Sequence, residues 1–210
     1  MQIDTAVFAR APVAGEAKSR LIPRLGAEGA AALQHTLMRR SLRTALSANL
    51  GPVSLWCTPH CEHPAFIACS SEFDVPLFAQ QGADLGARMF NAFAELGRRG
   101  RSILIGTDCP ALTASDLRAA AGALLQGHDA VFIPAEDGGY VLIGLGRPMA
   151  SLFDSMPWGS NQVMAETRLR LRHEGAHWLE LPASWDVDRP EDYARLEASG
   201  FMQDTLALPR

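Results

Sequence analysis

The sequence contains only one lysine. Lys18 stands alone among 19 basic residues, and every other cation is an arginine. Lysine binds phosphate as a compact point charge, whereas arginine binds it as a planar fork. The single lysine therefore draws attention to the loop that contains it as a candidate anion site.

Long apolar runs are also missing. No stretch approaches the ~20 apolar residues that span a bilayer, and the opening MQIDTAVFAR lacks the basic start and cleavage site of a signal peptide. The formal charge of -4 gives no electrostatic reason to expect a nucleic acid or a membrane surface as a partner. We expect a cytoplasmic protein whose partners are small molecules, and the sequence leaves a homodimer open.

Paired metal-binding cysteines are absent as well. The four cysteines form no C-x-x-C pair, so zinc is not favoured and reduced thiols are expected. No serine or cysteine has the spacing of a nucleophile elbow, which removes support for covalent hydrolase chemistry. The apolar residues Phe153, Trp158 and Met164 are interpreted as core.

The 210 residues, 48% of them hydrophobic, are enough for one substantial core, so a single domain over residues 1–210 is expected. Apolar runs alternate with segments of helical periodicity, which predicts an α/β fold in three α/β/α layers with a mostly parallel mixed sheet. The predicted strands are 5–9, 52–57, 75–78, 102–106, 130–134, 140–143 and 178–181. Helices are predicted beyond Gly26, at 65–70 and at 85–96. A further helix begins at a Thr113 cap and ends near residue 125, another runs from a Ser160 cap to about His173, and Pro190 opens the last one. The strands at 130–134 and 140–143 flank a turn and predict an antiparallel hairpin.

The loop after the first strand, Arg10–Leu21, is the first place to look for a ligand, since open α/β sheets bind ligands at the carboxyl ends of their strands. It is not a Walker loop, because Pro12 and Ala17 occupy positions that need glycine, and it lacks the three spaced glycines of a dinucleotide fingerprint. One flexible glycine, Gly15, remains. Three cations in this loop and just after it could converge on a polyphosphate: Lys18, Arg20 and Arg24. The alternative is an exposed loop with solvated cations.

Asp108 follows the most regular apolar strand, at the same edge of the predicted sheet. Magnesium takes only one or two protein carboxylates, so a lone aspartate here is chemically sufficient. The alternative is that Asp108 caps the following turn.

Two further acidic segments are candidates. Alternation along an extended segment would put Asp186 and Asp188 on one side, where they could complete a metal site, but Asp188 could equally cap the helix that Pro190 begins. In the earlier turn, Gly138 and Gly139 permit close backbone approach to a ligand, and Asp137 could meet a hydroxyl group or the metal. A plain hairpin turn explains that segment nearly as well.

Taken together, these segments resemble the GT-A-fold superfamily, in particular a bacterial family of unknown function grouped with glycosyltransferases and nucleotidyltransferases. The resemblance is carried, in order along the chain, by Phe8–Pro12 with Gly15 to Leu21, Gln81–Met89, Gly106–Pro110, Asp137–Gly144, and Asp186–Asp188 before Pro190–Asp192. The segment Ala17–Leu21 is also similar to the opening of 2-phospholactate guanylyltransferases.

The resemblance implies a role for each matched segment. Lys18 and Arg20 would contact phosphates and act with Asp108 in catalysis, and the segment from Gly82 to Arg88 would lie near the base or ribose. The implied nucleotide-binding set is Ala9, Pro12, Gly15, Lys18, Arg24, Gly82, Asp84 and Arg88. From the residues and the resemblance together, the expected acceptor site is Asp137, Gly138 and Gly139, and the expected ligands of Mg²⁺ or Mn²⁺ are Asp108, Asp186 and Asp188.

The leading hypothesis is a transferase that moves a nucleotidyl group from a nucleoside triphosphate to a small phosphorylated acceptor. The alternatives are a glycosyltransferase that uses a nucleotide-diphospho-sugar, and a nucleotide-binding protein without catalysis. Two departures bear on the choice. Asp108-Cys109-Pro110 replaces the Asp-x-Asp usual in glycosyltransferases of this fold, and the glycine-rich opening of molybdenum-cofactor guanylyltransferases is absent.

Overall fold

Within residues 2–201, seven strands form one mixed sheet in the order β3-β2-β1-β4-β6-β5-β7. The structure is a computed structural model that describes residues 2–201, apart from the side chain of Arg99. The strands are β1 (Asp4–Arg10), β2 (Val53–Thr58), β3 (Leu77–Ala79), β4 (Ser102–Ile105), β5 (Ala130–Pro134), β6 (Tyr140–Leu145) and β7 (Trp178–Glu180). The helices are α1 (Ile22–Ala48), α2 (Pro64–Phe73), α3 (Leu85–Leu96), α4 (Ala114–Leu125), α5 (Val163–His173) and α6 (Pro190–Ser199).

The strand directions confirm the predicted mostly parallel mixed sheet. Strand β6 runs antiparallel to both of its neighbours, β4 and β5, and the remaining pairings are parallel. The β5–β6 hairpin is therefore the antiparallel element that the turn residues predicted. Within residues 2–201, no helix is both long and apolar enough to cross a membrane.

Helices cover both faces of the sheet, because the buried strand residues alternate between two cores. Along β1, Val7 and Ala9 belong to the core that includes residues of α1 and α4, whereas Ala6 and Phe8 belong to the core that includes residues of α3 and α5. Since side chains alternate across a strand, a strand that is apolar at every position must be covered twice. This alternation is the physical basis of the three layers.

A third apolar cluster attaches the segment before α6 to the start of the chain. We call it the third core; its buried members are Leu21, Leu33, Leu37, Trp185, Val187 and Leu196. It packs a late segment against α1 and the turn before it. Residues far apart in sequence are thereby brought to one edge of the sheet.

Local signals set most of the helix ends. Asp116 and Thr113 form the predicted capping pair of α4, in which the Thr113 amide donates to Asp116 Oδ2 at 2.9 Å and the Asp116 amide donates to Thr113 Oγ1 at 3.3 Å. Helix α5 begins at Val163 rather than directly after Ser160. The Ser160 hydroxyl donates to the Pro157 carbonyl at 2.8 Å, so it stabilises the preceding turn.

Candidate functional site

A cavity of about 380 Å³ opens at the carboxyl ends of the parallel strands. Its wall includes the last residue of β1, Arg10, the last residue of β2, Thr58, and Asp108, which follows β4. Strand β1 pairs with β2 on one side and with β4 on the other, so the chain connections diverge at this point. Open α/β sheets bind ligands in the crevice at such a point, and the volume is that of a small-molecule site.

Three carboxylates line the side of the cavity next to β4 and β5. They belong to Asp108, to Asp137 in the β5–β6 turn, and to Asp186. The pKa of Asp186 is raised to about 6, chiefly because burial disfavours the charged form, and further because the Asp137 and Asp108 carboxylates repel it. The cavity therefore concentrates negative charge on this side.

Lys18 lies behind this acidic wall and pairs with one of its carboxylates. Its ammonium is 2.6 Å from Asp108 Oδ1 and donates a hydrogen bond to the Val187 carbonyl, also at 2.6 Å. The Lys18 side chain is 3% exposed, whereas that of Asp108 is 49% exposed. Lys18 is thus buried beneath Asp108 and does not form part of the cavity wall.

Two arginines line the opposite side of the cavity. Arg10 ends β1, and Arg88 reaches over from α3. Arg88 Nε donates to the Gly82 carbonyl at 3.2 Å and Nη1 donates to Thr58 Oγ1 at 3.4 Å, so its guanidinium is held against the end of β2. The cavity therefore has a cationic side next to β1 and β2 and an acidic side next to β4 and β5.

Aromatic and apolar side chains form the rest of the wall, including Tyr140 and Trp158. The two rings meet edge to face with centroids 6.4 Å apart, and burial raises the pKa of the Tyr140 hydroxyl. Trp158 packs against Gly86, where an added Cβ would lie 2.7 Å from Trp158 Nε1. The glycine at position 86 is therefore required for this wall to close.

The structure brings together some of the predicted site residues and separates others. Those that line the cavity are Ala9, Arg88, Asp108, Asp137, Gly139 and Asp186. Those that lie outside its wall are Pro12, Gly15, Lys18, Arg20, Arg24, Gly82, Asp84, Gly138 and Asp188. Each predicted group, whether for nucleotide, acceptor or metal, thus has some members in the cavity wall and others outside it.

Two of the predicted loop cations face the C-terminal segment instead of the cavity. Arg20 contacts the Asp188 carboxylate, and Arg24 Nη2 lies 3.3 Å from Glu197 in α6. Lys18, Arg20 and Arg24 thus pair with three different carboxylates and do not converge.

Asp186 and Asp188 do not both line the cavity. Asp186 lines the cavity, whereas Asp188 pairs with Arg20 outside it. Alternation holds from Trp185 to Val187, whose side chains are buried in the third core on either side of Asp186, but the Asp188 carboxylate contacts Arg20. Asp192 then accepts the amide of Asp188 at 3.1 Å, so Asp192, and not Asp188, caps the start of α6.

Asp84 begins α3 by accepting the Ala87 amide at 2.8 Å. The capping alternative for Asp108 does not apply, because the bonds of its carboxylate are to Lys18 and to the Thr107 hydroxyl, at 3.3 Å.

Several residues of the wall were not predicted: Arg10, Gln34, Thr58, Gln80, Tyr140 and Trp158. Because open α/β sheets bind ligands at the carboxyl ends of their strands, Arg10, Thr58 and Gln80 could have been predicted, since each ends or follows a strand. Gln34 carries no local signal, because it projects from α1 to donate to Thr107 Oγ1 at 3.1 Å. Phe153 and Met164 are buried as predicted, but Trp158 reaches the cavity as well.

The acidic side fits a divalent cation by charge and by ligand type. Asp108, Asp137 and Asp186 offer hard oxygen ligands, and Lys18 offsets only one of their charges. Over residues 2–201, no three histidine, cysteine or carboxylate side chains are close enough to form a ready metal cluster. A hard cation that keeps several waters, as Mg²⁺ does, needs only one or two of these carboxylates.

The turn that carries Asp137 is built around Gly138. Its φ of +94° lies in the left-handed region, and an added Cβ would collide with the backbone carbonyl of Asn161. Asp137 Oδ1 accepts the Gly139 amide at 2.9 Å, which closes the turn. The two glycines thus hold Asp137 at the cavity edge.

We predict that Gly138→Ala lowers the free energy of unfolding by roughly 2–4 kcal/mol, since it combines a positive φ with a backbone collision. Gly127→Ala is the matched control, because Gly127 has a φ of +100° and nothing within 4 Å of an added Cβ. The control should lose only about 1 kcal/mol. Chemical denaturation of both variants measures the difference, and equal losses would contradict the packing argument.

The fold defines the class: this is an α/β protein with a GT-A-like fold. Within that class, the chain belongs to the family described as uncharacterized proteins conserved in bacteria, DUF2064, whose model matches residues 41–160. The resemblance inferred from the sequence is therefore confirmed. No curated protein matches the chain.

Solved structures show the same fold. A candidate nucleotide-diphospho-sugar transferase from Desulfovibrio desulfuricans G20 is 28% identical, with a TM-score of 0.86 over 95% of this chain and 88% of the other. A cytidylyltransferase from Leptospira borgpetersenii is 15% identical, with a TM-score of 0.61 over 95% and 87%. Glucosyl-3-phosphoglycerate synthase from Mycobacterium tuberculosis, solved with Mn²⁺, UDP and glucosyl-3-phosphoglycerate, is 9% identical, with a TM-score of 0.54 over 100% and 81%.

Proposed function

We propose that the protein is a nucleotide-dependent transferase that moves a nucleotidyl group from a nucleoside triphosphate to a small phosphorylated acceptor. The observation that carries the proposal is the charge division of one cavity, with Arg10 and Arg88 on one side and Asp108, Asp137 and Asp186 on the other. A metal-chelated polyphosphate needs both kinds of group. The fold supports the class, since nucleotidyltransferases and glycosyltransferases share it.

In this scheme the acceptor phosphate attacks the α-phosphate of the triphosphate. A bond forms between the acceptor oxygen and the α-phosphorus, and the bond to the β-phosphate breaks, which releases pyrophosphate. Such a reaction depends on positioning and charge stabilisation and needs no covalent nucleophile. Arg10 and Arg88 would offset the charge of the phosphates, and Asp137 at the cavity edge would orient the acceptor.

Asp108 and Asp186 would hold Mg²⁺ or Mn²⁺, with Asp137 near them. When bound, the metal would supply charge stabilisation for the transferring phosphoryl group. Asp188 is not part of this proposed set, because its carboxylate is paired with Arg20.

A second candidate is glycosyl transfer from a nucleotide-diphospho-sugar. It is favoured by the 28% identity to the candidate nucleotide-diphospho-sugar transferase. The two reactions differ in their leaving group, since nucleotidyl transfer releases pyrophosphate and glycosyl transfer releases a nucleoside diphosphate.

The experiment is to incubate the purified protein with Mg²⁺ or Mn²⁺, each nucleoside triphosphate or nucleotide sugar, and a panel of phosphorylated small molecules. Pyrophosphate release that depends on both the acceptor and the metal supports the proposal. Release of nucleoside diphosphate instead supports glycosyl transfer. Tight binding of nucleotide without either product would leave a non-catalytic binding protein and overturn both.

Ligand binding can be measured before the acceptor is known. We predict that a nucleotide at about 100 times its Kd raises the Tm by roughly 5–10 °C in the presence of the metal, because binding to the folded state adds to stability. Omission of the metal should remove most of the shift. A shift of equal size without metal would contradict the proposed role of the acidic side.

A further inference from the structure

Lys18 is buried outside the cavity wall, which is not where a residue that binds the nucleotide phosphates is expected. Its ammonium is buried, forms an ion pair with Asp108 Oδ1 at 2.6 Å and donates a hydrogen bond to the Val187 carbonyl, also at 2.6 Å. A buried charge is stable only where it is paired and hydrogen-bonded. The site around Lys18 supplies both kinds of partner from within the protein.

These contacts tie three separate segments together. Lys18 belongs to the loop after β1, Asp108 to the loop after β4, and Val187 to the segment before α6. The Val187 amide also donates to the Asp108 backbone carbonyl at 2.8 Å. The loop after β4 and the segment before α6 are therefore joined twice, once directly and once through the ammonium.

The third core holds the same segment from the other side. Trp185 and Val187 are buried in it, and Asp186 between them lines the cavity. The position of the Asp186 carboxylate is thus set by how its two neighbours are held. The hydrogen bond from the charged Lys18 ammonium to the Val187 carbonyl adds to the apolar contacts that hold these neighbours.

The backbone of Lys18 is also specialised. Its φ of 49° and ψ of 43° place it in the left-handed region, which is uncommon for a residue with a side chain. The side chain lies beneath Asp108 and is not part of the cavity wall. A longer, planar guanidinium would have to enter the same buried space, so arginine is a poor substitute here.

We propose that Lys18 is a positioning residue that fixes Asp108 and Asp186 relative to each other, and that it does not bind the nucleotide phosphates. This role differs from the phosphate contact that the sequence resemblance implies. The expected effect of Lys18 on turnover rests on the proposed function. Its role in positioning Asp108 and Asp186 can be tested without turnover.

The first test uses the wild-type protein. Because Lys18 is the only lysine, an amine-reactive reagent followed by mass spectrometry reports on it alone, apart from the N-terminal amine. A positioning role predicts that Lys18 reacts at least ~100-fold more slowly in the folded protein than in denaturant, with no further protection from a metal–nucleotide complex. Rapid labelling that nucleotide suppresses would overturn the proposal.

The second test uses Lys18→Met and Lys18→Arg. We expect Lys18→Met to lower kcat at least ~10-fold while the nucleotide KM changes less than ~3-fold, and we expect no rescue by Lys18→Arg. Arg118→Met is the control, since Arg118 also donates to a backbone carbonyl, that of Ser47 at 3.3 Å, but lies away from the cavity. A raised KM with unchanged kcat, or rescue by arginine, would show a phosphate ligand instead.

The third test separates this inference from the proposed function. Amide hydrogen exchange of residues 184–188 should become at least ~10-fold faster in Lys18→Met than in wild type. The same exchange in Arg118→Met should stay at the wild-type rate. If wild type turns over no substrate but exchange increases as expected, the proposed function fails and the positioning role stands. Unchanged exchange overturns the positioning role whatever the activity.

Discussion

Asp108→Asn should lower kcat/KM by at least ~100-fold, because it removes a charge placed where the transferring phosphate and its metal would meet. The substitution keeps the size of the side chain, but it removes the counter-charge of the buried Lys18 ammonium, so the free energy of unfolding should also fall by roughly 3–5 kcal/mol. Activity is therefore compared under conditions where circular dichroism shows that the variant is folded. The measurement is steady-state kinetics with the substrate pair that the product assay identifies, together with the metal-dependent change in Tm.

Asp74→Asn is the matched control for Asp108→Asn. Asp74 is exposed at the end of α2 with a φ of 51°, a conformation that asparagine tolerates well. This variant makes the same chemical change far from the cavity, so activity and metal response should match those of wild type. If Asp108→Asn also keeps near-normal turnover, the acidic side of the cavity is not the reaction centre.

The sequence was sufficient for the main elements of the fold because their signals are local. Helix α3 spans Leu85–Leu96 as predicted, since Asp84 supplies the cap and the apolar residues recur at helical spacing. The sheet layers follow from apolar strands such as β4, whose Ile103 and Leu104 lie in different cores. The antiparallel hairpin follows from its short glycine-containing turn.

The site was only partly predictable, because its decisive contacts join distant residues. The sequence identified Lys18 as unusual, but its partner Val187 is 169 positions away, so the direction of the ammonium could not be inferred. Asp188 was assigned to the cavity by alternation along the segment, which could not reveal that its carboxylate contacts Arg20, a residue 168 positions away. Trp158 has the apolar side chain of a core residue, and only the tertiary structure places it in the cavity wall as well.

Asp186→Asn should make the protein more stable at pH 8. In the folded protein the pKa of Asp186 is raised to about 6, whereas in the unfolded chain an aspartate has its ordinary value near 3.9. Between these two values the folded state binds more protons than the unfolded state, so stability falls as pH rises through this window. Above it the ionised carboxylate is a constant cost, which asparagine removes.

We expect a gain of about 1–2 kcal/mol at pH 8, after allowance for the partial exposure of the side chain. The gain should shrink below pH 6 and disappear near pH 4, where the wild-type carboxyl is already protonated. Denaturant unfolding at several pH values measures it. Asp188→Asn is the control from the same segment, and it should show no such gain, because its carboxylate is paired with Arg20.

The same substitution should remove the response to metal. In wild type, Mn²⁺ should raise the Tm above pH 6 and much less below it, since a protonated Asp186 is a poor ligand. Asp186→Asn should lose most of this increase while it gains stability without metal. The two effects have opposite signs, so a general change in folding could not produce both. The hypothesis is that the buried, ionised Asp186 carboxylate destabilises the folded protein and that a bound cation offsets this cost. A variant that is less stable at pH 8, or that keeps the full metal response, would contradict it.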